Sequence, residues 1–239
     1  MRPIPIILAS ASPARLATLR RAGVYPQVLV SGVDERALTT VAEAKLGVPL
    51  SPAENALLLA RAKAEAAAHR IFEPAETRNS PTTTPTPNTQ RVETPKTPRT
   101  GIVIGCDSIL EMAGRAFGRP KDATEAFARI QAMRNNTGIL HTGHWVIDAR
   151  APESGGTGAA LGATGSTKVF FGDIDDAEIA AYVATGEPLQ VAGSFTVDGL
   201  GGPYITGIEG DYHNVVAISL PLLRDLLSQM GIPWRAIRG

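Results

Sequence analysis

Cysteine occurs once in this 239-residue chain, at Cys106. A lone thiol cannot close an intrachain disulfide, which excludes the small disulfide-stapled folds and points to a reducing compartment. Net charge is missing too: Lys and Arg total 23, and so do Asp and Glu. With no basic excess and no basic run, polymeric nucleic acid is not an expected partner. Aromatic residues, at 5%, leave few stacking platforms for single strands. A free nucleotide stays open, because a few well-placed cations can hold one. No apolar run reaches the ~18 residues that a spanning helix needs, so no membrane partner is expected. Arg2 is followed only by the short apolar run Ile6 to Ala9, which reads as a strand and not a leader. The expected location is cytoplasmic. No Cys/His cluster exists, and His141 and His144, three apart in one strand, point to opposite faces, so a structural zinc is not expected.

What is there is ordinary globular material. Hydrophobic residues make up 44%, enough for one large domain or a two-lobed one. Strands and helices alternate along the chain. Ile4 to Ala9 reads as a strand, and Ser12-Pro13 then opens a helix: a hydroxyl caps the first amides and a ring pre-sets the first helical residue. Gly23 suits its left-handed stop. Gln27 to Val33 reads as a second strand with Asp34-Glu35 at its end. Ser51-Pro52-Ala53-Glu54 is a capping box, and the helix it opens runs to about Phe72. Residues 73–100 hold six prolines, nine threonines and almost no large apolar side chain. Such a stretch buries too little to offset the entropy of ordering, and it reads as a flexible insertion within a single domain covering 1–239.

Beyond the insertion, Gly101 to Asp107 is a β-branched strand, with a hairpin turn at Ala113-Gly114. A helix opens at Asp122 and is stopped by Gly138. Ile139 to Asp148 and Ser166 to Gly172 are strands joined by a Gly/Ala-rich hairpin tip at 151–165. Asp175 and Glu178 start another helix, Tyr204 to Glu209 forms one more strand, and Pro221 begins a last amphipathic helix. The expected fold class is α/β with a mixed sheet.

Three places carry chemistry. The Gly101 strand ends in Asp107-Ser108, and open α/β sheets place their chemistry at such strand ends; a capping Asp in a turn is the plainer alternative. The segment Ser10-Ala11-Ser12-Pro13-Ala14-Arg15 sets two hydroxyls and an arginine at a helix start, a place that favours an anion. An ordinary capped helix with a surface arginine is the plainer alternative there. Lys63, inside its helix, reads as a solvated-face residue on periodicity alone. Asp198-Gly199-Leu200-Gly201-Gly202 lets backbone approach a ligand closely, or simply makes a tight turn.

In order along the chain, Leu8 to Arg15, Asp34-Glu35, Ala60 to Ala64, Gly105-Cys106-Asp107-Ser108 and Gly118-Arg119-Pro120 resemble the Maf family. The same holds for His141-Thr142-Gly143, Gly186-Glu187-Pro188, Ala192-Gly193 and Glu209 to Val216. The resemblance covers the chain apart from 73–100 and the glycine-rich tip. It implies a two-lobed mixed sheet with flanking helices and a central cleft, similar to inosine-triphosphate pyrophosphatases. It also implies hydrolysis of a nucleoside triphosphate to the monophosphate and pyrophosphate with a divalent cation, Mg²⁺ or Mn²⁺, in house-cleaning of the nucleotide pool. The resemblance leaves a homodimer open.

The family's catalytic acid falls on Asp107 and its polar pocket on Ser10, Ser12, Arg15, Glu35 and Lys63. Ser108, Arg119 and Asp198 complete the expected substrate contacts, and Asp107 and Glu35 would hold the metal from neighbouring strand ends. Arg15, Lys63 and Arg119 suit phosphate oxygens; Asp107 suits either the metal or the proton of an attacking water, and the sequence does not choose between the two.

Three positions depart from the pattern. Ala14 stands where many members have a second arginine, Arg119 replaces a lysine, and Asp198 replaces the glutamine of the pyrimidine-preferring branch. An ionised carboxylate only accepts hydrogen bonds, so that branch's base preference does not carry over. The competing reading is a non-catalytic nucleotide-binding regulator of septation on the same fold. Keeping Asp107, Glu35 and Lys63 together favours the enzyme.

Overall fold

The computed structural model describes residues 2–72 and 100–239. The insertion expected at 73–100 therefore lies, its last residue aside, outside the described residues. In chain order the elements are β1 (Ile6–Leu8), α1 (Pro13–Arg21), β2 (Gln27–Val28), α2 (Glu35–Leu46), α3 (Pro52–Phe72), β3 (Ile102–Met112), β4 (Arg115–Phe117), α4 (Ala123–Met133) and β5 (Thr137–Asp148). They continue with β6 (Ala160–Phe171), α5 (Asp176–Ala184), β7 (Ile205–Glu209), α6 (Tyr212–Val216) and α7 (Leu220–Gln229). The seven described strands form one mixed sheet in the order β2-β1-β3-β5-β6-β7, with β4 on β3. β2, β1 and β3 run parallel, and β3, β5, β6 and β7 run antiparallel.

Within the parallel part β1 and the start of β3 are buried on both faces, which is why they read as unbroken apolar runs, while β2 is an exposed edge. Ile6, Leu8, Ile102, Ile104 and Cys106 pack against Leu19 of α1 and Leu223, Leu226 and Leu227 of α7. Ile7, Ala9 and Val103, on the other face, pack against Ala64, Ala67, Ala68 and Ile71 of α3. Two further clusters form the second part of the core. One gathers Leu110, Leu140, Val169, Phe171 and Phe195. The other joins α4 and α5 through Ala126, Ile130, Ile179 and Tyr182.

α3 lies unusually close to the sheet. A Cβ on Gly105 would fall 2.1 Å from the Ala60 carbonyl oxygen, and one on Gly143 would fall 2.2 Å from that of Ala56. Gly143 pairs directly with Asp107 across β3 and β5. Gly105, two residues before Asp107, shares its face. The helix therefore presses on the sheet where the acid projects.

Several sequence expectations are corrected. Asp107 is not at a strand end, because β3 continues to Met112. The strand loses its neighbour instead: β1 pairs with it only from Ile102 to Ile104, and β4 only from Leu110 to Met112. Asp107 and Ser108 sit in the uncovered edge between. The second strand is only Gln27–Val28, and Glu35 begins a helix that Asp34 caps through the Ala37 amide. Gly138 lies inside β5; the helix before it ends at Met133, and the left-handed residue there is Asn135, with φ 55°. The stretch 151–165 is half strand, since β6 begins at Ala160. The turn at Ala113-Gly114 has φ 47° and 72°, the paired positive values of a type I′ hairpin.

The close approach of α3 predicts that Gly105→Ala is costly. The clash is with backbone, which cannot swing aside, so overpacking should cost about 1–3 kcal/mol or more and lower the melting temperature by several degrees. Gly207→Ala, whose Cβ would meet only Phe170 at 3.4 Å, is the control. Thermal melts of the two variants beside the unmutated chain check this, and equal melting temperatures would refute it.

Candidate active site

A cleft of about 730 Å³ opens off the bare edge of β3. All nine residues picked out from the sequence line it: Ser10, Ser12, Arg15, Glu35, Lys63, Asp107, Ser108, Arg119 and Asp198. Lys63 stands at its centre. Its Nζ donates to Asp107 Oδ1 at 2.6 Å and pairs with Glu35 Oε1 at 2.6 Å. Lys63 and Asp107 are buried, while the Glu35 side chain is half exposed. Burial drives the Asp107 carboxyl above the usual aspartate range; the Lys63 and Arg15 charges pull it down without overcoming that, and Glu35 adds a push upward.

The other face of β3 builds a second network. Arg15 Nη2 donates to Ser108 Oγ at 2.9 Å, Nη1 to Ser10 Oγ at 3.0 Å, and Nε to the Ala217 carbonyl at 3.1 Å. Ser108 Oγ also meets Thr142 Oγ1 at 3.0 Å. Ser10 Oγ accepts from the Ser12 amide, and Ser12 Oγ caps α1 through the Arg15 amide. Asp107 and Ser108, adjacent in the chain, thus reach one cleft from opposite sides of the sheet. Cys106 between them belongs to the core, and burial pushes its thiol up to about 12, so it supplies no thiolate nucleophile.

The solvated-face readings of Lys63 and Arg15 are overturned, since only 9% and 8% of their surfaces are exposed. Glu35 reaches the cleft from the first turn of a helix and not from a strand end. Arg119 is exposed on the rim. Asp198 also lines the cleft, its carboxylate 3.8 Å from Arg21. His141 and His144 do face apart. His141 bonds Ser166 and Glu111, whereas His144 accepts from the Ser219 amide and is held neutral by burial, its pKa lowered to about 4.

The sequence reading missed Arg36, Thr39, Asn55 and Thr196, which also line the cleft. Thr39 Oγ1 donates to Asn55 Oδ1 at 2.8 Å, tying α2 to α3. The available signal was Asp34 followed by Glu35: a capping residue and an acid in the first turn mark a helix start.

Fold and site together define an α/β protein with a cleft that sets cations around one buried carboxylate. The chain belongs to the Maf family, whose description, Maf-like protein, matches residues 5–230. It is 47% identical over 226 residues to a nucleoside triphosphate pyrophosphatase of Streptomyces coelicolor, covering 95% of this chain and 90% of that protein. One of the same description from Leifsonia xyli is 46% identical over 229 residues, covering 96% and 94%. Another, from Gloeothece citriformis, is 37% identical over 228 residues, covering 95% of each. A solved nucleoside-triphosphatase (dITP/XTP pyrophosphatase) of Mycobacterium abscessus overlaps 95% of this chain and 94% of its own. That overlap has 15% identity and a TM-score of 0.34, a likeness that carries no argument here.

The Arg15 network makes a stability prediction opposite to that of an exposed helix residue. Arg15→Ala strips donors from two hydroxyls and one carbonyl in a buried setting, and should cost about 1–3 kcal/mol. Arg15→Lys should rescue little, because a point donor cannot replace a three-way fork. Chemical denaturation midpoints measure both; an Arg15→Ala midpoint equal to the wild type would return the residue to the surface.

Proposed function

We propose that this chain hydrolyses nucleoside triphosphates to the nucleoside monophosphate and pyrophosphate. The observation that carries the proposal is the buried Asp107 carboxylate, held by Lys63 at the floor of a cleft rich in cations. The names of the 37–47% identical relatives support the same reading. In the proposed step a water oxygen attacks the α-phosphorus, and the bond from that phosphorus to the α,β-bridging oxygen breaks. Pyrophosphate leaves with the electron pair, and Asp107 takes the proton of the water. Arg15 and Ser10 border the same space, and Arg36 and Arg119 on the rim meet the outer phosphates.

Glu35 and Asp107 already converge on one positive centre, the Lys63 ammonium. Two carboxylates facing an open cleft suit a hard divalent cation that takes its remaining oxygens from phosphate and water. Among the described residues no cluster of three or more His, Cys, Asp or Glu side chains meets, so Asp107 and Glu35 would hold a Mg²⁺ or Mn²⁺ only together with substrate. Such a cation would neutralise charge on the departing pyrophosphate.

Asp198 is the proposed reader of the base. An acceptor-only carboxylate suits an edge that offers N–H groups, such as guanine or cytosine, better than uracil, whose N3–H lies between two carbonyls. The binding-only alternative gains no observation of its own, since a regulator has no need of a buried acid. A chain with a buried lone thiol and, among the described residues, no helix able to cross a membrane also suits the proposed cytoplasmic setting.

Two measurements test the reaction. With Mg²⁺ or Mn²⁺ present, pyrophosphate release should fall by ~10²-fold or more in Asp107→Asn, with the fold kept by circular dichroism. A variant retaining more than about a tenth of the rate would remove Asp107 from the chemistry. The acid limb of kcat/KM should also lie above the ordinary aspartate range. Only the ionised carboxyl accepts the proton, so activity is lost as pH falls through a value that burial has raised. A limb at or below the ordinary range would contradict the assignment.

A further inference from the structure

Glu187 stands outside the cleft, at the start of the 3-10 turn Glu187–Gln190 that follows α5. Its carboxylate nevertheless binds Thr196, which lines the cleft, and three donors beside it. Oε1 accepts from the Tyr182 hydroxyl at 3.0 Å, from the Gly201 amide at 3.2 Å and from the Thr196 hydroxyl. Oε2 accepts from the Leu200 amide at 3.1 Å. Three of these four donors belong to residues 196–201, so one carboxylate ties both ends of the loop that carries Asp198 to α5.

The glycines of that loop serve the same contact. A Cβ on Gly199 would lie 2.7 Å from Glu187 Oε2, and one on Gly201 would lie 2.6 Å from the Tyr182 hydroxyl. Gly199 thus faces the carboxylate itself, and Gly201 faces the Tyr182 hydroxyl that donates to it. Burial pushes the Glu187 carboxyl up, but the bonds from Thr196, Leu200, Tyr182 and Gly201 outweigh it and hold the group below the usual glutamate range. The nest is therefore charged at neutral pH, and all four of its donors point at an acceptor. An amide in its place would turn an NH₂ group toward some of them.

We infer that Glu187 is a positioning residue for base selectivity, fixing Thr196 and Asp198 against the nucleobase without itself touching substrate. The inference rests on the nucleoside triphosphate reading above. The nest shares no hydrogen bond with Asp107 or Lys63, which pair with each other and with Glu35, so it governs which base is held and not how the phosphate is cut.

The test is equilibrium binding, by calorimetry, of non-hydrolysable α,β-methylene analogues of GTP, CTP, UTP and dTTP to the wild type and to Glu187→Gln. The wild type should separate its best and worst bases by at least about tenfold, and the variant should compress that ratio to within about threefold. Amide hydrogen exchange at Leu200 and Gly201 should speed up in the variant by about tenfold or more. Tyr182→Phe, which deletes one donor to the same carboxylate, should move the ratios in the same direction by less, and it serves as the probe if Glu187→Gln does not fold. Unchanged ratios in the folded variants, or a wild type that binds all four bases equally, would overturn the inference. A wild type that discriminates in binding but releases no pyrophosphate would overturn the hydrolytic reading and leave this one standing.

Discussion

The cleft depends on how near α3 can come to the sheet. Gly105 and Gly143 are the only residue type that lets the Ala56 and Ala60 carbonyls approach to their observed positions. That approach brings Lys63 directly over Asp107. Once there, the ammonium offsets the cost of burying a carboxylate, a cost neither group would bear alone. The same ammonium reaches Glu35 and so holds the first turn of α2. α2 buries none of its own residues; its attachments are Glu35 to Lys63, Thr39 to Asn55, and Glu43 to the Leu50 amide. A helix with no fully buried side chain belongs to the low end of local stability. One wall of the cleft is thus held in part by a lysine that packing elsewhere positions.

The bare edge of β3 explains how two faces of a sheet serve one site. Successive strand residues point to opposite faces, so Asp107 and Ser108 would ordinarily be kept apart by the neighbouring strand. β1 stops at the level of Ile104 and β4 begins only at Leu110. In the gap the α3 layer supplies the acid and its lysine, while the α1 layer supplies Arg15 and two serines. This is the place where a doubly wound sheet changes direction and opens to a ligand.

Much of this was legible in the sequence, because caps, glycine stops and apolar runs are local signals. Ser12-Pro13, the Ser51 capping box, Ala113-Gly114 and Asp175 mark where α1, α3, the β3–β4 turn and α5 begin. α2 was missed because Asp34-Glu35 was read as a strand end, although Leu38, Val41 and Ala42 recur at helical spacing behind the capping Asp34. The burial of Lys63 and Arg15 was missed because their partners lie 44 and 93 residues away, at Asp107 and Ser108. Periodicity cannot see such contacts. Gly199 and Gly201 were legible as close-approach positions, but not what approaches them: Glu187 at Gly199, and the Tyr182 hydroxyl and Thr196 backbone at Gly201.

The committed hydrogen bonds also order events on the proposed reading. Arg15 spends all three of its donor nitrogens on protein acceptors, so it shapes the floor of the cleft before any phosphate arrives. Arg36 and Arg119 are exposed and, among the described residues, have no side-chain partner; they are the cations free to meet an incoming polyanion. Lys63 stands between these two kinds. An ammonium carries three donors, and two point at Glu35 and Asp107, leaving one for a phosphate oxygen. One ammonium can therefore keep both carboxylates and still meet an incoming oxygen.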